Sequence, residues 1–501
     1  MQKKTAYWLT AIVLITFIAR LAVALLVPNF TYDSYFTFRQ VEHIGETGLP
    51  LFNDQLSYGG RELTFLPFFY YFSAFFDLFL PIEAVALLLP NLLLSLLPII
   101  VFLISRKVSN SEESSLFAAF LTGFLPILFA TANNFTNETL FIPLAFLTIY
   151  TFLKIDQPKY FYLFLGLFLA CSLTSNATFL LVMGLIIYLL LSILENKRIN
   201  RAELEVILFS SFLFIWTEFL FFKSLFAKEG IKFIWQNIPQ AILSQYFPNI
   251  SLFQAIILVS VIPFIIGIYI VYQALFQLKN TRAFLLISLA ISTSLLSWFR
   301  LIQFRLSLLF LGVILTILFA MFYDDLKAYL SKTKFTKKKQ WIAPLFILLL
   351  LPTMVLPAVV SALQVPTPTE SEIAAFSWLK EHTPPQSGVL ARLEEGYLVT
   401  YFARRRNVMD ERFGTVRDVG TRLADTNTLY HTTLQTIALD LLDKYNIQYI
   451  ILTSHAQQTA GISSLPYLSK KCFELVYHES DQQGDGVRIY RVRCTVGELR
   501  T

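Results

Sequence analysis

Apolar residues in this chain fall in long unbroken blocks, not in the stripes of a soluble amphipathic helix, which is how lipid-facing helices read. The first block, Tyr7 to Val27, follows Lys3 and Lys4. Further blocks cover roughly 83–105, 115–131, 139–154, 160–174, 178–194, 203–222, 252–277, 283–299, 306–323 and 341–363. Together they predict about eleven transmembrane helices, each long enough or nearly so to cross the hydrocarbon core. Tyr7–Val27 is long for the apolar core of a signal peptide, and no small-residue cleavage site follows it. It therefore reads as a retained first span.

The polar positions between the blocks set the orientation. Alternate loops carry Arg106 and Lys107; Lys154 and Lys159; Lys197, Arg198 and Arg201; Lys279 and Arg282; and a cluster from Lys327 to Lys339. All of these fall on the side of the N-terminus, while the opposite loops 132–138 and 175–177 have no Lys or Arg. Lys/Arg bias marks the cytoplasmic face, so the N-terminus is expected in the cytoplasm and residues 364–501 outside it. Two outer segments, 28–82 and 223–251, are too long to be simple connectors. Within the first, Thr64 to Leu80 is apolar, and a span there would break the charge alternation, so it is expected to lie at the interface.

From Gln364 onward prolines and charges become common and short strand-like runs appear, such as Tyr449–Leu452 after the helix-like stretch Leu434–Tyr445. The expected organisation is a multi-span helical membrane domain over 1–363 and a soluble extracytoplasmic α/β domain over 364–501. Phe473–His478 and Val487–Val492 read as a hairpin about Gly484-Asp485-Gly486, which puts Cys472 nearly opposite Cys494. On an oxidising face the two are either a disulfide or a pair of buried thiols.

Composition agrees: 55% of the residues are hydrophobic and 15% charged, against about 25% charged in soluble domains. The net charge of +6 is largely accounted for by topology, so nucleic-acid binding gains no support. The five His are scattered without metal-ligand spacing, and there is no phosphate-binding glycine loop or nucleophile elbow.

A few outer-face residues remain as candidate chemistry. Asp33 follows the first span closely, and Glu138 stands where another begins. Two carboxylates at that depth either share a divalent cation that neutralises a phosphate leaving group, or are unrelated solvated acids. Arg300 and Arg305 oppose the positive-inside bias, and either reach lipid headgroups or grip a phosphate.

Taken in order, these segments resemble the catalytic subunit of oligosaccharyltransferase, a membrane glycosyltransferase of GT-C type. Asp33-Ser34-Tyr35-Phe36-Thr37-Phe38-Arg39 is similar to that family's first acidic motif, and Gly60-Arg61 through Thr64 to Pro67 to the segment after it. Phe135-Thr136-Asn137-Glu138 stands where eukaryotic members have Phe-Asp-Asn-Glu, and Arg305 where a late span opens on arginine. Gly396-Tyr397 and Arg406-Asn407-Val408-Met409-Asp410 resemble the segment after the acceptor-reading motif. The resemblance implies that Asp33 and Glu138 hold Mg²⁺ or Mn²⁺, that Arg305, with Arg300 nearby, binds the phosphate of a polyprenyl-linked sugar donor, and that a glycan passes to a protein or lipid acceptor outside.

The acceptor side departs from the family. Gln245 in Ile242-Leu243-Ser244-Gln245 replaces the glutamate of Ser-Val-Ser-Glu, and Arg392-Leu393-Glu394-Glu395-Gly396 replaces Trp-Trp-Asp-Tyr-Gly, while in the second acidic motif Thr136 replaces one carboxylate and removes a possible metal ligand. Gln245, Glu394 and Glu395 are the corresponding acceptor-binding candidates. Transfer of a single sugar from a polyprenyl-phosphate carrier and a non-catalytic lipid-sugar binding or transport role stand as alternatives. A cell membrane is implied, or the endoplasmic reticulum for a eukaryotic chain.

Overall fold

The computed structural model describes residues 3–109, 111–230, 251–277, 283–332, 342–413, 416–479 and 486–495. Gln245, most of the segment 223–251 and the Lys337–Lys339 cluster lie outside these residues.

The apolar blocks form helices because a span must satisfy its own backbone. Among the described residues five are long and apolar enough to cross a membrane: Lys3–Leu26 (α1), Ile82–Ser109, Arg201–Ala227, Phe304–Ser331 and Pro344–Leu363. A bent pair, Phe253–Val259 and Val261–Leu275, would count as a sixth. Four shorter apolar helices accompany them: Glu138–Phe152, Pro158–Thr174, Thr178–Leu194 and Phe284–Trp298. Phe304–Ser331 is the central pillar, with 89% of its apolar window buried against 28% for α1 and 22% for Arg201–Ala227. Where Thr178–Leu194 meets Phe284–Trp298, a Cβ on Gly184 would collide with Leu289, so glycine there sets the approach of the two helices.

Two expected spans are interrupted. The block 115–131 divides into the helix Glu112–Gly123 and a single turn, Pro126–Phe129, because Pro126 cannot continue the preceding helix. The block 252–277 bends by 93° at Ser260, whose φ is 75°. Thr64–Leu80 contains a helix of only ten residues, Phe68–Asp77 (α3), about half the length of a crossing.

The C-terminal part is a five-stranded mixed sheet. The strands β3 (Gly388–Leu390), β4 (Arg406–Asn407), β5 (Ile447–Leu452), β6 (Phe473–Glu479) and β7 (Val487–Val492) follow β1 and β2, a small pair at Asn53–Asp54 and Arg61–Glu62. Their order is β4-β3-β5-β7-β6, parallel on the β3 side and antiparallel at β5–β7–β6. One sheet face packs on helices 435–444 and 454–460 through Leu439, Leu442, Ile450 and Ala456. The other shares a core with the segment 28–82: Tyr35, Phe36, Phe38 and Val41 pack with Phe376, Leu379, Tyr397 and Ile451. This shared core holds the sheet over the mouth of the helical bundle.

Cys472 and Cys494 form a disulfide across the open end of the β6–β7 hairpin, with Cα atoms 4.9 Å apart. The Cys472→Ser/Cys494→Ser double variant is expected to lose about 3 kcal/mol of local stability. Earlier hydrogen exchange in β6 and β7, with the transmembrane helices unaffected, would report it; unchanged exchange would contradict it.

Candidate active site

The end of α1 turns sharply into a second helix, Ser34–Thr47 (α2), and Asp33 occupies that turn. Thr31 Oγ1 donates to Asp33 Oδ1 at 2.6 Å, and the Thr31 backbone N–H bonds Asn133 O at 3.1 Å. Ser34 Oγ accepts from the Phe135 N–H at 2.9 Å, so the turn bearing Asp33 is stitched to the strand of chain that leads to Glu138. Glu138 opens the helix Glu138–Phe152, where exposed N–H groups favour a carboxylate. Arg305 is the second residue of the central pillar, and its Nη2 donates to Ala130 O at 2.6 Å. Asp33 and Arg305 are the charged groups whose fields act on Glu138.

These three residues, from three separate segments, line one cavity of about 1040 Å³. Its outer wall comes from the C-terminal part and includes Glu394, Tyr397, Glu411, Arg412 and His455. The sequence candidates divide accordingly. Arg305 lines the cavity, whereas Arg300 is exposed on the preceding turn with a φ of 56° and does not. Glu394 lines it, whereas the neighbouring Glu395 is fully buried inside the sheet domain. The next residue, Gly396, packs so tightly on Met409 O that a Cβ there would clash.

Glu395 accepts from Thr453 Oγ1 and, at 3.0 Å, from the Arg392 N–H. Burial, and then Glu372, push its carboxyl up from 4.5 to about 8. A carboxyl raised in the folded state contributes stability that is complete below its unfolded value and lost as pH rises through the folded one. The domain is therefore expected to lose thermal stability between about pH 5 and pH 8, and Glu395→Gln to flatten that slope. Equal slopes for the two proteins in thermal melts would rule this out.

Glu411 and Arg412 escaped the sequence reading, although three consecutive ionisable residues, Asp410-Glu411-Arg412, were a signal. Asp410 ties the turn down: its carboxylate accepts from Arg61 at 2.7 Å, Ser57 Oγ at 2.6 Å, Asn407 Nδ2 at 3.1 Å and the Arg412 N–H at 3.0 Å. Arg412 lies over the Phe36 ring at 3.9 Å and donates to Tyr70 Oη at 2.9 Å. The Glu411 carboxyl is pushed well up by burial and by Asp33, Glu394 and Asp410, with Arg412 opposing.

Among the described residues no three His, Cys, Asp or Glu side chains group as a ready-made metal cage. The cavity does supply the carboxylates of Asp33 and Glu138, with Thr136 Oγ1 buried between them in sequence and lacking a hydrogen-bond partner. An oxygen set of this kind fits a hard divalent ion that takes its remaining ligands from water and substrate phosphate.

Residues 66–217 match the sequence profile of the dolichyl-phosphate-mannose-protein mannosyltransferase family. No curated protein sequence matches the chain. Its fold is similar to that of the oligosaccharyltransferase AglB from Archaeoglobus fulgidus in complex with an inhibitory peptide and a dolichol-phosphate: TM-score 0.72, 13% identity, covering 97% of this chain and 74% of AglB. A structure of an Archaeoglobus fulgidus oligosaccharyltransferase with Zn and sulfate gives 0.68, 13%, 94% and 72%. ArnT from Cupriavidus metallidurans bound to undecaprenyl phosphate gives 0.55 at 12% identity, covering 98% of both chains. The likeness to these solved transferases is one of fold over nearly the whole chain, and the family profile spans residues 66–217 alone.

Proposed function

We propose that this protein transfers a glycan from a polyprenyl-phosphate or polyprenyl-diphosphate carrier to an acceptor on the outer membrane face, in the manner of an oligosaccharyltransferase. The observation that carries the reading is the convergence of Asp33, Glu138 and Arg305 on a single cavity beneath the C-terminal sheet. Arg305 is fixed at one guanidinium nitrogen by Ala130 O, which leaves the rest of its fork to bind the donor phosphate. Asp33 and Glu138 would hold Mg²⁺ or Mn²⁺, which supplies positive charge against the leaving phosphate when bound. Glu394, Glu411, Tyr397 and His455 form the wall against which the acceptor would lie. The Lys/Arg distribution supports a cytoplasmic N-terminus and an outward-facing cavity.

Transfer of a single sugar from a monophosphate carrier is the second reading. It is favoured by the mannosyltransferase profile over 66–217 and by the full-length correspondence with ArnT. Purified protein would be offered a polyprenyl-diphosphate oligosaccharide and a polyprenyl-monophosphate sugar, each with an Asn-X-Thr peptide or a lipid acceptor, with Mn²⁺ and with chelator. Metal-dependent glycopeptide from the diphosphate donor establishes the first reading, and product only from the monophosphate donor establishes the second. Binding of both donors without transfer from either would leave a non-catalytic carrier-binding protein.

A further inference from the structure

Arg20 belongs to α1, in the apolar bundle, and is 1% exposed. A guanidinium in such a place is costly unless its protons all find acceptors. Arg20 Nε donates to Asn91 Oδ1 at 3.1 Å, Nη1 to Leu128 O, and Nη2 to Thr131 Oγ1 at 3.2 Å, with the Phe129 ring 5.6 Å from its centre of charge. None of these partners is a carboxylate. Most of them belong to one short stretch, 128–131, where the single turn Pro126–Phe129 ends; Leu128 O there also accepts from the Thr131 N–H at 3.1 Å and from Thr131 Oγ1 at 2.6 Å.

That stretch is also where Arg305 is held. Its Nη2 bonds Ala130 O, between the two residues that Arg20 grips. Further bonds brace the same segment: Asn91 Nδ2 donates to Ala132 O at 2.9 Å, and Asn133 Nδ2 to Ala24 O at 3.0 Å and Val27 O at 3.1 Å. Leu128 O and Ala130 O thus each accept from an arginine. One arginine is sealed in the bundle and the other faces the cavity.

We infer that Arg20 is a positioning residue: by fixing the 128–131 turn it holds Ala130 O in place and so aims the Arg305 fork at the phosphate of the polyprenyl carrier. The inference rests on Arg305 being the phosphate ligand. Arg20 touches no substrate. Its effect should therefore appear in recognition of the phosphate and not of the lipid tail.

The test compares binding of a polyprenyl phosphate with binding of the polyprenol of the same length to the full chain in detergent. The quantity read is the ratio of the two dissociation constants. Arg305→Gln is expected to reduce the advantage of the phosphate about tenfold. Arg20→Lys, which cannot reach all three acceptors, and the milder Thr131→Val are expected to reduce it about fivefold, with polyprenol affinity unchanged. An unaltered ratio in both variants, beside a fall in Arg305→Gln, overturns the inference. Equal losses for both lipids would mean that Arg20 only holds the bundle together, and overturn it too. A ratio that Arg305→Gln leaves intact instead refutes Arg305 as the phosphate ligand, and the inference falls with that reading.

Discussion

Asp33→Asn and Glu138→Gln are each expected to leave a folded membrane protein whose glycan transfer falls by about 1000-fold or more. Both substitutions keep the size and hydrogen-bonding outline of the side chain and remove only its charge. In Asp33→Asn the amide oxygen could still accept from Thr31 Oγ1, so the stitching of this turn to the 133–135 segment would survive. What is lost is the negative oxygen set of the cavity, which cannot then retain a divalent ion against water. In Glu138→Gln, Arg305 also loses the carboxylate with which it interacts. Initial transfer rates at saturating Mn²⁺, with thermal melts as the folding control, give the result. Wild-type rates in both variants would end the metal-assisted reading. A loss in Asp33→Asn alone would shift the work to Asp33 as an acceptor-side base.

How much of this was legible beforehand depends on whether the cause is local. The apolar blocks are visible because a span needs an uninterrupted run of apolar residues. Asp33 and Glu138 stand out for the opposite reason, as acids where acids are costly. The β6–β7 hairpin declares itself through its alternating strands, and its register opposes the cysteines of the observed disulfide. The interruptions were harder to see. Pro126 lies in an apolar run whose hydropathy does not change across the break. Arg300 and Arg305 are equivalent in composition and are separated only by where the helix begins, at Phe304. Glu394 and Glu395 are adjacent and alike; only the fold, which buries Glu395 and turns Glu394 to the cavity, tells them apart. Glu411 and Arg412 gain their meaning from Asp410, whose partners Ser57 and Arg61 lie in the segment 28–82, far away in sequence. No pattern read along the chain reports a contact of that range.

That knot carries the second large expectation. Asp410→Ala should destabilise the junction between the segment 28–82 and the sheet domain by about 3–5 kcal/mol, because it strips one partner from a buried ion pair. Arg61 and Asp410 are 8% and 2% exposed, so water cannot replace the lost carboxylate. Ser57, Asn407 and the Arg412 N–H would each lose the acceptor they share. Asp410→Asn should cost less, since one oxygen remains to accept from Arg61 or the Arg412 N–H. Replacing the pair together, as Arg61→Met with Asp410→Leu, should recover only the part of the loss that lies in the unpaired charge, since Ser57, Asn407 and the Arg412 N–H still lack their shared acceptor. Limited proteolysis and melting of the purified chain would rank the variants. Transfer activity should fall with stability in Asp410→Ala, because the same turn presents Glu411 and Arg412 to the cavity. If the apolar pair restores the melt but not the rate, the turn serves the chemistry as well as the fold. Full recovery of both would reduce Asp410 to a structural tie, and would leave the acceptor wall to Glu394, Tyr397 and His455.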